Sequence, residues 1–115
     1  MHLTHIIAEL ELEVCTPAET TGGAVCGGYT GDLLSDVMAH SLPGQLWITR
    51  QTHRNVIAVA ALKEHSGVIL AQGARPDEEM LQKAEKEKIM VALSVRPAFD
   101  IAGRLYQLLA AATDG

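Results

Sequence analysis

Apolar positions in the first third of the chain change from a helical spacing to a strand-like alternation. Residues 3–10 carry apolar side chains three and four apart, which predicts a short amphipathic helix with Thr4 as its cap. Residues 12–14 alternate between apolar and acidic, as in a strand, and residues 24–26 form a second strand candidate. The glycines within 27–31 then predict a flexible joint before the next helix.

The rest of the chain alternates regularly between runs of β-formers and segments with helical spacing. Strands are predicted at 45–49, 68–71 and 89–93, and helices at 33–40, 56–64, 76–86 and from Pro97 onward. Such alternation indicates βαβ units with right-handed crossovers. We therefore predict an α/β fold, in which residues 1–115 form a single three-layer domain with a mixed, mostly parallel sheet flanked by helices.

The predicted helix at 56–64 is apolar almost all round, because residues 56–62 contain only Val, Ile, Ala and Leu. A helix of this kind contacts protein on more than one side. We therefore expect the chain to form a homodimer through this helix, its neighbours, or both. In the last helix, Gly103 predicts a close approach by another backbone.

Composition narrows the class of protein. Hydrophobic residues make up 48% of the chain and charged residues 20%, which is typical of a globular domain. The net charge is −5 and no basic run is interleaved with aromatics, which argues against a nucleic-acid partner.

No apolar stretch approaches the ~20 residues that span a bilayer, and no signal peptide is evident. We expect a cytoplasmic protein with Cys15 and Cys26 as buried free thiols, although the two could form one disulfide.

Motifs for metal binding and catalysis are missing from the sequence. The histidines and cysteines show no C-x-x-C or H-x-x-x-H spacing, so we expect neither a metal nor a cofactor. No G-x-x-x-x-G-K-[ST] loop is present to hold nucleotide phosphates for transfer. His53 has no carboxylate that the sequence aligns with it, since Asp32 and Asp36 lie on another predicted helix. We therefore do not expect an enzyme.

Loops that follow predicted strands are the candidate binding region, because ligands of open α/β sheets bind beyond the carboxyl ends of the strands. Three loops qualify: 27–32, 49–55 and 94–96. Their candidate ligand-binding residues are Gly27, Gly28, Thr49, Gln51, His53, Asn55 and Ser94, and Arg50, Arg54 and Arg96 could hold a phosphate. In the alternative interpretation, Asn55 caps a helix, the glycines serve a turn, and the arginines are solvated.

The segment Gly28-Tyr29-Thr30-Gly31-Asp32-Leu33-Leu34-Ser35-Asp36-Val37-Met38, followed by Gly44-Gln45-Leu46-Trp47-Ile48-Thr49, resembles a DRTGG domain. Such domains occur beside cystathionine-β-synthase motifs in regulated pyrophosphatases and are similar to the amino-terminal domain of HPr kinase. The resemblance implies a regulatory role in dimerisation and small-ligand signalling. Thr52-His53 and Ala71-Gln72-Gly73 stand at the positions that name the family, so only the last glycine is retained.

The residues and the resemblance together predict a non-catalytic homodimeric regulatory module, and the resemblance implies that it senses a small phosphorylated ligand such as an adenine nucleotide. The alternative is an adaptor that docks on a larger metabolic enzyme, for example a hydrogenase, without a small-molecule ligand. The sequence leaves both open.

Overall fold

The structure of the protein, a computed structural model, describes residues 1–114. Its elements in chain order are α1 (Leu3–Glu9), β1 (Glu13–Val14), a 3-10 turn (Ala18–Thr21), β2 (Gly27–Thr30), α2 (Leu34–His40), β3 (Gln45–Thr49), α3 (Arg54–Leu62), β4 (Gly67–Leu70), α4 (Glu78–Glu87), β5 (Val91–Leu93) and α5 (Ala98–Asp114).

The five strands form one sheet with the order β1-β5-β4-β3-β2. Strands β2 to β5 run parallel, and β1 pairs antiparallel with β5 through Glu13 opposite Leu93. This confirms the predicted α/β fold with a mixed, mostly parallel sheet. Since the parallel strands share one direction, their carboxyl ends meet at a single edge of the sheet.

Alternate side chains of each strand enter two separate cores, because successive residues of a strand point to opposite faces. Leu46 and Ile48 of β3 pack with α1 and α5, whereas Trp47 packs with α2, α3 and α4. The neighbouring strands follow the same alternation, and both faces are buried, as expected for a parallel sheet. The three layers are therefore α1 and α5, the sheet, and α2 to α4.

The predicted strand at residues 24–26 is wrong, because β2 begins at Gly27. Ala24 forms only an isolated antiparallel bridge with His2. A Cβ atom added at Gly28 would lie 2.8 Å from the Leu105 side chain of α5. A larger residue at this position would displace the Leu105 side chain, so the glycine allows α5 to cross the strand closely and serves packing instead of a flexible joint.

Two predicted helix features differ in the structure. His2 precedes α1 as its capping residue, without a side-chain hydrogen bond, and Thr4 lies inside the helix. Nothing approaches within 4 Å of the Cβ position of Gly103, so the expected close contact there is wrong. Asp77 does start α4, because its carboxylate accepts a hydrogen bond from the Met80 N–H at 2.7 Å.

Helix α3 lies between α2 and α4 on its face of the sheet. Val56, Ile57 and Ala60 are buried in the core of this layer, whereas Ala58 is exposed and Leu62 is 68% exposed. Contacts within the chain therefore explain most of the apolar pattern that suggested a dimer interface on this helix.

A buried polar pair connects the end of α2 to the start of β4. The Ser41 hydroxyl donates to the Val37 carbonyl at 2.6 Å, so it accepts from Nε2 of His65 at 2.8 Å. Nδ1 of His65 then carries a lone pair that is buried without a hydrogen-bond partner among residues 1–114. Burial lowers the pKa of His65 to about 4, and the nearby Lys63 charge contributes, so the imidazole is neutral at pH 7.

Candidate functional site

The carboxyl ends of the parallel strands divide into a side around β2 and β3 and a side around β4 and β5. Thr49 ends β3 and Ser94 follows β5, with β4 between them. Two strand spacings separate these residues by roughly 10 Å. The predicted binding residues are thus spread over distinct surfaces.

On the side around β2 and β3, Asp32 is the shared hydrogen-bond acceptor for the residues at the end of β3. One carboxylate oxygen accepts from the Thr49 hydroxyl at 2.6 Å and from the Arg50 N–H at 2.8 Å. The Gln51 side-chain amide donates to the Asp32 carbonyl at 3.1 Å. The hydrogen bond from Thr49, followed by that from Arg50, lowers the pKa of Asp32. Thr49 and Gln51 therefore connect the end of β3 to Asp32, which follows β2.

His53 caps α3, whereas the sequence suggested Asn55 for this role. Nδ1 of His53 accepts from the Asn55 N–H at 3.1 Å, so a neutral His53 carries its proton on Nε2. Asn55 lies in the first turn of α3 and lines an open cleft of about 390 Å³ towards α4. The guanidinium of Arg54 in this cleft pairs with Glu79 at 3.5 Å.

Gly27 and Gly28 belong to the amino half of β2, at the other end of the strand from Asp32. They line an open groove of about 570 Å³ between β2, the edge strand, and α5. The remaining lining residues carry no charge: Cys26, Thr30, Gln45, Ile48, Ala102, Leu105, Tyr106, Leu109 and Ala110. The two glycines therefore do not join the strand-end loops, contrary to the prediction.

Ser94 lines a crevice of about 450 Å³ at the carboxyl ends of β4 and β5. The loop after β4 forms one wall, and two consecutive left-handed residues, Gln72 (φ 55°) and Gly73 (φ 74°), turn it sharply. Their N–H groups donate to the Arg96 and Ser94 carbonyls at 2.8 and 3.1 Å. These hydrogen bonds hold the two loops together at the base of the crevice.

Charged groups surround this crevice, which we call the β4–β5 crevice. Glu11, Glu13, Arg75 and Arg96 all line it. Arg96 is held by Glu11 at 3.2 Å and by Asp100 at 3.4 Å. Arg75 and Glu13 are exposed, and the side chain of neither forms an ion pair or hydrogen bond within residues 1–114.

Arg75 and Glu13 were missed by the sequence analysis, although one signal for Arg75 was available. Arg75 lies in the loop between a predicted strand and a predicted helix, which is the position that selected the other three loops. Nothing in the sequence indicated that Glu13 lies at the crevice, because its position there depends on the antiparallel pairing of β1 with β5.

The remaining reactive side chains do not assemble into a catalytic or metal centre in the described part of the chain. Asp36 accepts from the hydroxyl of the half-buried Tyr29 and contacts Nδ1 of the exposed His40 at 3.1 Å, so it does not orient His53. No group of three or more metal-ligating side chains occurs among residues 1–114.

Two further expectations concern the burial of the cysteines and the length of the helices. Cys15 and Cys26 are free, but Cys15 is half-buried and Cys26 is exposed, so the expectation of buried thiols is wrong. Burial, with a contribution from Glu13, raises the pKa of the Cys15 thiol. Within the described chain, every helix is too short or too polar to cross a membrane.

Comparison with known proteins identifies a shared fold. No protein-family model and no curated protein matches the sequence. Among solved structures, the chain is similar to the CBS and DRTGG domains of the regulatory region of Clostridium perfringens pyrophosphatase, in complex with the activator diadenosine tetraphosphate. The TM-score is 0.69 at 20% sequence identity.

The match covers 90% of this chain and 45% of the pyrophosphatase chain, so the protein spans about half the length of that regulatory region. At this level of identity the similarity establishes a DRTGG-related fold.

Proposed function

We propose that the protein is a non-catalytic regulatory module of the DRTGG type that senses a small phosphorylated ligand such as an adenine nucleotide. The β4–β5 crevice is the observation that carries this proposal. It lies beyond the carboxyl ends of parallel strands, where open α/β sheets bind ligands. Its volume of about 450 Å³ lies in the range of small-molecule sites.

The pyrophosphatase comparison suggests which ligands to test first. The regulatory region of similar fold was solved with a dinucleotide activator. Adenine mono-, di-, tri- and dinucleotides are therefore the first panel, with the guanine series as a control for the base.

Thermal unfolding with this panel tests ligand sensing. A ligand that binds only the native state stabilises it by about 2.7 kcal/mol at a concentration 100-fold above its Kd. We therefore expect at least one adenine nucleotide to raise Tm by several degrees at millimolar concentration. Unchanged Tm with the whole panel, together with no heat in calorimetry, would contradict ligand sensing.

The proposed module is a homodimer, and we place its interface at the groove between β2 and α5. Strand β2 is an open sheet edge whose four residues carry no charge, and uncharged edges are prone to pair with another chain. At the other edge, β1 has only two residues, and one of them, Glu13, is charged. Tyr106 is 75% exposed at the rim of the groove and would be covered by a second copy.

Light scattering at tens of micromolar protein tests the dimer. We expect the mass of two 12.3 kDa chains. Tyr106→Glu should give a single chain, because it places a charge in an apolar contact. Phe99→Glu is the matched control, since Phe99 is 91% exposed and lies outside the groove lining. A wild-type mass of one chain contradicts dimerisation.

The groove also favours the second candidate function, a cytoplasmic adaptor that docks on a larger enzyme. The two functions predict different results. A monomer that no nucleotide stabilises supports the adaptor, because the uncharged groove is then left for another protein. A nucleotide-stabilised dimer supports the sensor.

A further inference from the structure

Arg75 provides a free cation at the β4–β5 crevice. Its guanidinium carries five donors, and none is used in an ion pair or hydrogen bond within residues 1–114. Arg96, on the same crevice, is already held by two carboxylates. Arg75 is therefore the arginine that is available to an incoming anion.

Ser94 provides a nearly buried donor beside it. Ser94 is 8% exposed, and its oxygen accepts from the Arg96 N–H at 3.1 Å. The hydroxyl proton has no acceptor among the described residues. A ligand oxygen in the crevice would accept this hydrogen bond from a side chain that is itself largely shielded from water.

Glu13 provides an acceptor on the wall formed by β1. Its carboxylate is exposed and unpaired within the described residues, whereas that of Glu11 is bound to Arg96. A carboxylate accepts hydrogen bonds from two neighbouring hydroxyl groups, and acidic side chains bind ribose hydroxyls in this way. The crevice thus combines donors for an anion with an acceptor for hydroxyls.

We propose that the β4–β5 crevice binds a phosphorylated ribose, with the phosphate held by Arg75 and Ser94 and the ribose hydroxyls by Glu13. The guanidinium matches phosphate oxygens in a bidentate arrangement. A bare phosphate fits less well, because Glu11 and Glu13 repel it without gaining a hydroxyl partner. This inference rests on the proposed ligand-sensing function and assigns its site.

Calorimetry with AMP, 2′-deoxy-AMP and ribose 5-phosphate tests the assignment. We expect AMP and ribose 5-phosphate to bind the wild type. Arg75→Ala should weaken both by roughly tenfold or more, because a charge-assisted phosphate contact is lost. Ser94→Ala should weaken both less. Arg54→Ala is the matched control, since Arg54 is an exposed arginine on another surface, and it should bind like the wild type.

Glu13→Gln separates the hydroxyl contact from the phosphate contact. The wild type should prefer AMP over 2′-deoxy-AMP, and Glu13→Gln should reduce this preference while it keeps the side-chain shape. Circular dichroism of each variant verifies that it is folded, which matters most for Ser94→Ala because Ser94 is nearly buried.

The outcomes distinguish this site from the proposed function. AMP binding that is unchanged in Arg75→Ala and Ser94→Ala overturns the site and leaves nucleotide sensing intact. Binding of ribose 5-phosphate but of no nucleotide supports the site and contradicts adenine sensing. Absence of binding by all three probes overturns the site.

Discussion

The two sides of the sheet's carboxyl edge use their polar residues differently. Around β2 and β3, Asp32 joins Thr49, Arg50 and Gln51 into a closed set of hydrogen bonds. Around β4 and β5, Arg75 remains unpaired beside a crevice. The contrast indicates that the first side maintains the fold, whereas the second keeps a charged side chain without a partner among the described residues. Substitutions on the two sides should therefore affect different measurements.

The largest expected effect concerns His65, which packs against Trp47 of β3. The folded pKa of about 4 is below the unfolded value of 6.5. The unfolded chain therefore takes up a proton first as pH falls, so stability is full above pH 6.5 and decreases towards pH 4. The total loss is about 3 kcal/mol.

Urea unfolding between pH 7.5 and 5 measures about 2 kcal/mol of this loss, before the carboxylates titrate. His65→Gln should remove most of the slope, although it also lowers stability at pH 7.5. His5→Gln, at an exposed position of α1, should leave the slope unchanged. An equal slope in the wild type and in His65→Gln would show that another group controls the pH dependence.

The next effect is that of Asp32→Ala on stability. The buried Thr49 hydroxyl and the Arg50 N–H both lose their acceptor, which should cost about 1–2 kcal/mol in the free energy of unfolding. Because the folded pKa of Asp32 is lowered, its contribution is present above pH 4 and is lost as pH falls through that folded pKa. Asp36→Ala, which removes only exposed contacts, is the control and should cost less.

The smallest expected effect is that of Arg75→Ala on stability. Arg75 is exposed and unpaired in the described chain, so the free energy of unfolding should change by at most about 0.5 kcal/mol. Chemical denaturation of Arg75→Ala beside Asp32→Ala measures the contrast between the two sides directly. A loss as large as that of Asp32→Ala would mean that Arg75 has a structural role.

The sequence predicted the fold well where one physical effect dominates. Strand β3 was predicted within its observed bounds, because Gln45–Thr49 is a run of β-formers after a helix-ending Pro-Gly pair. Strand β2 was misplaced, since Gly27 and Gly28 disfavour a strand locally. The strand at this position depends on the tertiary contact of Gly28 with Leu105. Local residue preferences carry no information about a contact between residues so far apart in the sequence.

The site was harder to predict, because it depends on which polar groups remain free after folding. Ser94, predicted as a ligand-binding residue because it follows a strand, does lie at the end of β5 and lines the crevice, and its role in binding stays a prediction. Thr49 and Gln51 satisfied the same rule but are used by Asp32, which lies 17 and 19 residues away. Competition between a ligand and a distant side chain is not visible in a spacing pattern.

The pairing of β1 with β5 has a consequence for the order of folding. Glu13 lies opposite Leu93, and Leu3 and Ile6 of α1 share a core with Ile101 and Leu105 of α5. Loop closure over such a separation is slow, so folding should take milliseconds to seconds and be cooperative. During synthesis, the part of the sheet face that α5 covers stays exposed until α5 leaves the ribosome, and a chaperone is able to bind the nascent chain there until then.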